Sequence, residues 1–258
     1  KMKALLLCKG PGATILAKED LNKYDFIAWA NWNNYRDKTI NIPKRVDKLY
    51  LYDYTYITEI PLKKLNQFKK DLKVKSVKII NSHKRPSEEK TKKWLDALCK
   101  CWDREYENFE AEVNYLGSPT KIQSYWPVKK QDQTGPVKTS LTSTGHAALT
   151  DLTINHNFDE IHVAGMDLFS GRQYYFDARE TVVSNGGRRK LEGMIRKDPN
   201  QISAGLLKNI HPEDSAMENI IKLLKDYPHI EYTFYSINKN YETQFKKHDV
   251  KNGKVITK

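Results

Sequence analysis

His211 lies in the polar segment Asn-Ile-His-Pro, directly before a predicted helix, and its side chain is of a type that suits proton transfer. A histidine whose pKa lies near neutrality can act as a general base and remove the proton of an attacking hydroxyl. A histidine at the entry of a helix can also bond to the nearby backbone. Judged by its position alone, His211 is better interpreted as such a helix-entry residue.

Two further segments carry the residue types that bind phosphate. The turn Lys9-Gly10-Pro-Gly follows an apolar run, and its glycines allow the backbone to approach a ligand closely. The segment Ser184-Asn-Gly-Gly-Arg-Arg-Lys190 places Arg188 and Arg189 beside two glycines, and arginine offers a bidentate fork to anionic oxygens. The first segment is more often a structural turn, and the second is equally typical of a solvated loop. Both remain open as ligand contacts.

The stretch from Thr142 to Asp177 organises the predicted fold. It reads as a Thr/Ser/Gly turn, a helix, a buried strand over Glu160–Ala164 and a loop that begins at Gly165. Ligands of open α/β sheets bind where strands end and the following loops begin. The sequence therefore predicts that Asp167 and Tyr174 lie at a ligand-binding edge.

Further apolar runs predict the rest of an α/β fold. Strands are predicted at Ala4–Cys8, Asp25–Ala30, Val46–Asp53, Val74–Ile80 and, as the last strand, Ile230–Tyr235. Helices are predicted at Ser87–Glu112 and Ser215–Lys225, and the tail after Lys246 is expected to be polar and frayed.

The ends of the early strands would align polar groups along one sheet edge. These groups are Lys9, Gly10, Asn31 and Asp53, although turn capping explains Asn31 and Asp53 equally well. We expect a single domain over residues 1–258, with residues 178–210 as a flexible lid segment within it.

Composition limits the partners and the compartment. The sequence carries 44 Lys and Arg against 32 Asp and Glu, a net charge of +12, which favours a polyanionic partner or an anionic membrane surface. A lysine-rich solvated surface explains the same number. No apolar run approaches the ~20 residues that cross a bilayer, and Ala4–Cys8 is too short for a signal-peptide core. With three cysteines and no zinc-binding spacing, a reducing cytoplasmic location is expected.

Five segments taken in order resemble the bacterial lipooligosaccharide sialyltransferases, which are metal-independent and use CMP-sialic acid. The segments are LLLCKGPGA, FIAWANWN, TSTG, EIHVAGMDLF with YYFD, and NIHPEDSAMENI. The resemblance implies a Rossmann-like, mainly parallel sheet flanked by helices, a single-sheet variant of the GT-A-like type. It also implies His211 as the catalytic base and Tyr174 as a donor of a hydrogen bond to the leaving phosphate. The implied donor contacts are Gly10, Asn31, Thr144, Gly145 and Asp167.

Three departures from the family pattern put the nucleotide and the sugar in question. Lys9 and Asp53 stand where the family has asparagine, and Phe169 stands where the family has a second phosphate-binding tyrosine. Phenylalanine cannot donate a hydrogen bond. Lys9, or Arg188 with Arg189, could compensate for that loss, which would suit a more highly charged leaving group such as a diphosphate.

The sequence as a whole predicts an inverting, metal-independent glycosyltransferase that uses a nucleotide sugar as co-substrate and no resident cofactor. The absence of an Asp-x-Asp pair at a strand end argues against a divalent-metal mechanism. The high positive charge favours a hydroxymethylated base in DNA as the acceptor, as in phage-type DNA glycosyltransferases. Sialic acid transfer to a lipooligosaccharide glycan is the first alternative, and a non-catalytic nucleotide- or nucleic-acid-binding module is the second. The oligomeric state is left open.

Overall fold

The computed structural model describes residues 1–31, 40–52, 62–84, 112–116, 143–168 and 213–257. Within these ranges the chain forms one eight-stranded sheet of order β5-β4-β3-β2-β1-β6-β7-β8, and the described strand pairs are all parallel. The strands are β1 (Lys3–Leu7), β2 (Phe26–Ala30), β3 (Lys48–Tyr52), β4 (Ser76–Lys84), β5 (Glu112–Leu116), β6 (Glu160–Ala164), β7 (Glu231–Tyr235) and β8 (Gly253–Ile256). The α-helices are α1 (Leu62–Leu72), α2 (Thr144–Asn155), α3 (Glu213–Asp226) and α4 (Asn240–Lys247).

The central strands are apolar on both faces because helices or short 3₁₀ turns cover both sides of the sheet. In β1, Leu6 packs into a core that α2, α3 and α4 complete, with Leu149 and Ile220 among its members. Leu5 and Leu7 point to the opposite face, where the 3₁₀ segment Pro11–Leu16 and helix α1 close a second core. The continuous apolar run of β1 is thus explained by a strand in the middle of a two-sided sheet.

The predicted α/β class, with a mainly parallel sheet flanked by helices, is confirmed. The strands predicted around β1, β2, β3, β4, β6 and β7 are present, as are the helices α2 and α3. The predicted helix Ser87–Glu112 lies outside the described residues except at Glu112, which begins β5. The lid segment 178–210 lies outside them as well.

The prediction for the carboxyl-terminal tail was wrong. Residues 240–247 form α4, and Gly253–Ile256 add an eighth strand in parallel register beside β7, so Ile230–Tyr235 does not contain the last strand. The buried side chain of Asn252 explains the order, because its Nδ2 donates to the carbonyls of Leu224, Tyr227 and Ile230. The side-chain amide of Asn252 therefore holds the tail by hydrogen bonds to the end of α3 and to the residue before β7.

None of the helices in the described ranges has the length and apolar character that crossing a bilayer requires.

Candidate active site at the carboxyl edge of the sheet

The carboxyl ends of the central strands lie level with one another. Leu7 pairs with Trp29 of β2 and with Ala164 of β6, and Ala164 pairs with Tyr235 of β7. The segments that follow these strands therefore lie side by side, which places Lys9 and Gly10, Asn31, residues 165–168 and residues 236–240 along one edge. Four of the predicted donor contacts, Lys9, Gly10, Asn31 and Asp167, lie there.

The turn after β1 is bonded to the loop after β6. The amide of Gly10 donates to the carbonyl of Gly165 at 2.8 Å, and the amide of Gly12 donates to Oδ2 of Asp167 at 2.8 Å. Gly165 has φ of +75°, a conformation that favours glycine. A Cβ at Gly10 would lie 2.5 Å from that same Gly165 carbonyl oxygen, so the two segments approach as closely as two backbones can.

Asp167 uses its carboxylate to join three segments. Besides the Gly12 amide, it accepts hydrogen bonds at Oδ1 from Ser236 Oγ at 2.7 Å and from the Ile237 amide at 2.9 Å. Burial raises the pKa of Asp167, while the bonds from Ser236, Gly12 and Ile237 oppose that rise. Asp167 as a residue is only 3% exposed. Its described partners thus assign it the role of holding the edge together, and direct contact with a donor stays a prediction.

Asn31 and Thr144 connect the end of β2 to the start of α2. Asn31 adopts φ of +63°, and its Nδ2 donates to Thr144 Oγ1 at 2.9 Å. Ser143 caps the helix, since its Oγ accepts from the His146 amide. The first turn of a twelve-residue helix offers backbone N–H groups and the positive end of the helix dipole, an arrangement that binds anions.

Gly145 permits the close packing of α2 against the turn after β1. A Cβ at Gly145 would lie 2.7 Å from Sγ of Cys8. Burial raises the pKa of the Cys8 thiol, Asp167 adds to the rise, and the ammonium of Lys9 opposes it. Lys9 and Asp167 therefore both act electrostatically on the Cys8 thiol, in opposite directions. Lys9 itself is half-buried.

A buried charge cluster holds the middle of α2 against the sheet. Oδ1 of Asp151 accepts from Lys78 Nζ at 2.6 Å, and Oδ2 accepts from Tyr50 and, at 3.4 Å, from Lys48. Burial works against the charged carboxylate, but Lys48, Lys78 and the hydrogen bonds outweigh it and lower the pKa of Asp151 to about 2. A fixed α2 in turn fixes Thr144 and Gly145 at the edge.

Six of the predicted site residues fall outside the described residues: Asp53, Phe169, Tyr174, Arg188, Arg189 and His211. Their roles stay predictions. Across the described ranges no group of three or more His, Cys, Asp or Glu side chains is placed to hold a metal ion.

The sequence analysis missed a polar set after β7. Asn238 Nδ2 donates to the Asp167 carbonyl at 3.2 Å and to Oε1 of Glu213 at 2.9 Å, and Asn240 Nδ2 donates to the same Oε1 at 3.2 Å. The signal was present in the sequence, because Ser236-Ile-Asn-Lys-Asn240 follows a predicted strand. Ligands of open α/β sheets bind where strands end, and this rule applies to the end of β7 as well as to the end of β6.

Comparison with known proteins gives a match only through structure. No protein-family model matches the sequence, and no curated protein matches it. A solved variant of the sialyltransferase CST-II in complex with CMP matches with a TM-score of 0.58 at 13% identity, covering 91% of this chain and 81% of that one. CstII from Campylobacter jejuni in complex with the substrate analogue CMP-3FNeuAc gives 0.53 at 12% identity, with coverage of 91% and 81%.

A third structure is of the monofunctional alpha-2,3-sialyltransferase Cst-I from Campylobacter jejuni, with a TM-score of 0.55, 14% identity and coverage of 91% and 75%. At these identities the likeness shows a shared fold. The resemblance inferred from the sequence is thereby confirmed at the level of the fold. The comparisons give the predicted DNA acceptor no support.

Proposed function

We propose that the protein is a metal-independent, inverting sialyltransferase that moves sialic acid from CMP-sialic acid to a hydroxyl of a glycan. The observation that carries the proposal is the edge formed by the turn after β1, Asn31, the start of α2 and the loop after β6. It supports a nucleotide site, because it combines close backbone approach with a helix N-terminus that suits phosphate. The shared fold of CMP-bound sialyltransferases supports cytidine as the nucleotide.

In the proposed reaction a bond forms between the acceptor oxygen and the anomeric carbon of sialic acid. The bond between that carbon and the phosphate oxygen of CMP breaks at the same time. The acceptor proton passes to His211, and Tyr174 donates a hydrogen bond to the phosphate as its negative charge increases. Lys9, Arg188 and Arg189 add positive charge on the donor side.

Asn31 and the first turn of α2 have a positioning role in this reaction. Because Asn31 donates to Thr144, a hydrogen bond joins the end of β2 to the start of the helix. A rigid donor site keeps the anomeric carbon in line with the attacking oxygen, and orientation of this kind accounts for a large share of the barrier reduction in group transfer. The net charge of +12 favours an anionic glycan as the acceptor.

The proposal is tested by release of CMP from CMP-sialic acid, with and without a glycan acceptor. We expect His211→Ala to lower kcat by roughly 10²- to 10⁴-fold, the contribution of a positioned base. Stabilisation by CMP in a thermal-shift assay should stay unchanged, because the base does not hold the nucleotide. His229→Ala is the matched control, since His229 is exposed at the amino edge of the sheet, just before β7.

Three results would contradict the proposal. Turnover of UDP- or GDP-sugars without turnover of CMP-sialic acid would assign a different donor, and an Arg188→Ala/Arg189→Ala variant would then test whether these arginines hold a diphosphate. Binding of CMP without any turnover would favour a nucleotide-binding module. Turnover that His211→Ala leaves intact would remove the assigned base.

A further inference from the structure

The carboxylate of Glu213 is fixed at one oxygen and open at the other. Its Oε1 accepts hydrogen bonds from Asn238 Nδ2 at 2.9 Å and from Asn240 Nδ2 at 3.2 Å. Both amides are themselves held, because Asn238 Oδ1 accepts from the backbone amide of Asn240 and Asn240 Oδ1 accepts from Gln244 Nε2. Among the described residues no group donates to Oε2, and this oxygen of the half-buried Glu213 remains accessible to solvent.

Capping of α3 does not account for the orientation of this carboxylate. Glu213 is the first residue of α3, where an acidic side chain interacts favourably with the helix dipole and can accept from free backbone N–H groups. Within the described part of the chain, however, its bonds come from two side-chain amides and none comes from a backbone amide. None of the ion pairs formed by the described residues includes Glu213. Neutral donors therefore hold the negative charge.

The open oxygen lies beside the proposed donor site. Helices α2 and α3 both begin at the carboxyl edge and contact each other on the same face of the sheet, where Ala148 and Met217 share one core. The axes of packed helices are about 8–10 Å apart, so the start of α3 is one helix width from the phosphate site proposed at the start of α2. Sialic acid carries a carboxylate of its own, which Glu213 repels. The sugar that fits beside Glu213 is therefore the acceptor.

We infer that Glu213 is a specificity-determining residue whose Oε2 accepts a hydrogen bond from a hydroxyl group of an uncharged acceptor sugar. The inference rests on the proposed function. An ionised carboxylate only accepts hydrogen bonds, and a sugar hydroxyl is a donor that brings no charge. Because Asn238 and Asn240 already fix the direction of the carboxylate, its bond to the acceptor requires little further ordering. The anionic groups of the glycan lie on units that do not contact Glu213.

The test combines an isosteric change in the protein with changes in the acceptor. Glu213→Gln keeps an oxygen for the two amides and replaces Oε2 by an NH₂ group, which cannot accept. The acceptors are the methyl glycosides of galactose, glucose and N-acetylglucosamine, and the monodeoxy forms of the best of them. Release of CMP is measured at saturating CMP-sialic acid. Asp214→Asn is the matched control, because Asp214 is the next residue of α3, carries the same charge and is exposed.

We expect Glu213→Gln to lower kcat/KM for the best glycoside by roughly 10- to 100-fold, the loss of a hydrogen bond to a charged group. One monodeoxy glycoside should show a similar loss with the wild type and no further loss with Glu213→Gln, because both changes remove the same bond. The KM for CMP-sialic acid and the slow release of CMP without acceptor should change by less than about 2-fold. Asp214→Asn should leave all of these values unchanged.

Five outcomes would overturn the inference while the proposed function stands. Three concern the variants: an unchanged kcat/KM in Glu213→Gln, an equal loss in Asp214→Asn, or loss of the acceptor-free CMP release in Glu213→Gln, which would make Glu213 a structural residue of the donor site. Two concern the acceptors: no monodeoxy glycoside with the coupled loss, or no uncharged glycoside that accelerates CMP release. A wild-type protein that releases no CMP from CMP-sialic acid would overturn the proposed function and this inference with it.

Discussion

Asp167 accepts a hydrogen bond of 2.8 Å from the backbone amide of Gly12, a residue 155 positions earlier in the chain. The bond joins the turn after β1 to the loop after β6, and the same carboxylate reaches Ser236 and Ile237 after β7. Three loops that follow neighbouring parallel strands are thus held by one side chain. The loops of the site edge are therefore hydrogen-bonded to one another through this carboxylate.

This arrangement leaves no room for a side chain at Gly12. A Cβ there would lie 2.5 Å from Asp167 Oδ1, 2.6 Å from the Tyr235 carbonyl and 2.7 Å from the Ser236 Cα. We expect Gly12→Ala to lower the free energy of unfolding by about 2–3 kcal/mol, because two of these neighbours are backbone atoms that cannot rotate away. Denaturant unfolding measures the loss. Gly253→Ala, whose nearest neighbours are side-chain carbons, should cost less, and equal losses would contradict the argument.

At a second glycine, Gly145, a change to alanine has two opposing effects: it improves helix propensity and it crowds Cys8. Alanine is the better helix former by about 1 kcal/mol, so Gly145→Ala in an open helix would stabilise the protein. Here the added methyl group would lie 2.7 Å from Cys8 Sγ, and we expect a net loss of stability. In a Cys8→Ala background the same change should become neutral or stabilising. A thermal-unfolding double-mutant cycle without coupling between the two sites would disprove this account.

The buried carboxylate of Asp151 makes Lys78 a sensitive position. Lys78 Nζ lies 2.6 Å from Asp151 Oδ1, and both side chains are 2% exposed. Removing one partner of a buried pair leaves an uncompensated charge, so Lys78→Met should cost about 3 kcal/mol or more in the free energy of unfolding. Lys75→Met is the control, because Lys75 lies directly before β4, the strand that contains Lys78. The Lys75 side chain pairs with Asp47 but is 65% exposed. We expect the control to cost less than about 1 kcal/mol.

His162 should make stability depend on pH below neutrality. Its Nδ1 contacts the hydroxyls of Tyr24 and Tyr235 at 3.1 and 3.0 Å, and its Nε2 lies 3.6 Å from Glu160 Oε2. Burial lowers the pKa of His162 below the ordinary value of 6.5, with Glu160 opposing the change and Lys254 and Lys3 adding to it. The unfolded chain then takes up the proton first, so stability is lost as the pH falls below about 6.5.

The measurement for this prediction is the free energy of unfolding between neutral pH and the onset of acid unfolding. His162→Gln, which keeps a polar group but does not titrate, should reduce the slope below pH 6.5. His229→Gln, at an exposed position, should leave the slope as it is. A steeper decline in His162→Gln than in the wild type would reverse the sign argued here.

Sequence patterns predicted the central fold well because buried parallel strands read as uninterrupted apolar runs. The run in β1 and that in β6 both became strands in the middle of the sheet. The edge strand β8 was missed because an edge strand is only half covered, so Lys254 and Ile256 remain exposed and the apolar signal is weak. The order of that tail depends on the amide of Asn252, which no periodicity reveals.

The site could be predicted only as far as strand order allowed. Once β1, β2 and β6 were recognised as parallel neighbours, the polar residues at their ends could be expected to meet, and Gly10, Asn31 and Asp167 do lie at one edge. The partners of those residues could not be predicted. The bonds of Asp167 to Gly12 and of Asn238 to Glu213 depend on loop conformations such as the left-handed backbone at Gly165, which spacing along the sequence does not encode.

The position of β1 between β2 and β6 has a consequence for how the protein is made. Lys3 pairs with Glu160, so one side of β1 stays open until the long stretch of chain between β1 and β6 has been synthesised. Contacts this distant in sequence close slowly, because the entropy of a long loop must be overcome before the strand pair forms. During that interval an apolar, unpaired edge at Leu5 to Leu7 is accessible to other chains. The stage of synthesis after β1 and before β6 is therefore the one at which we expect chaperone dependence and aggregation to be greatest.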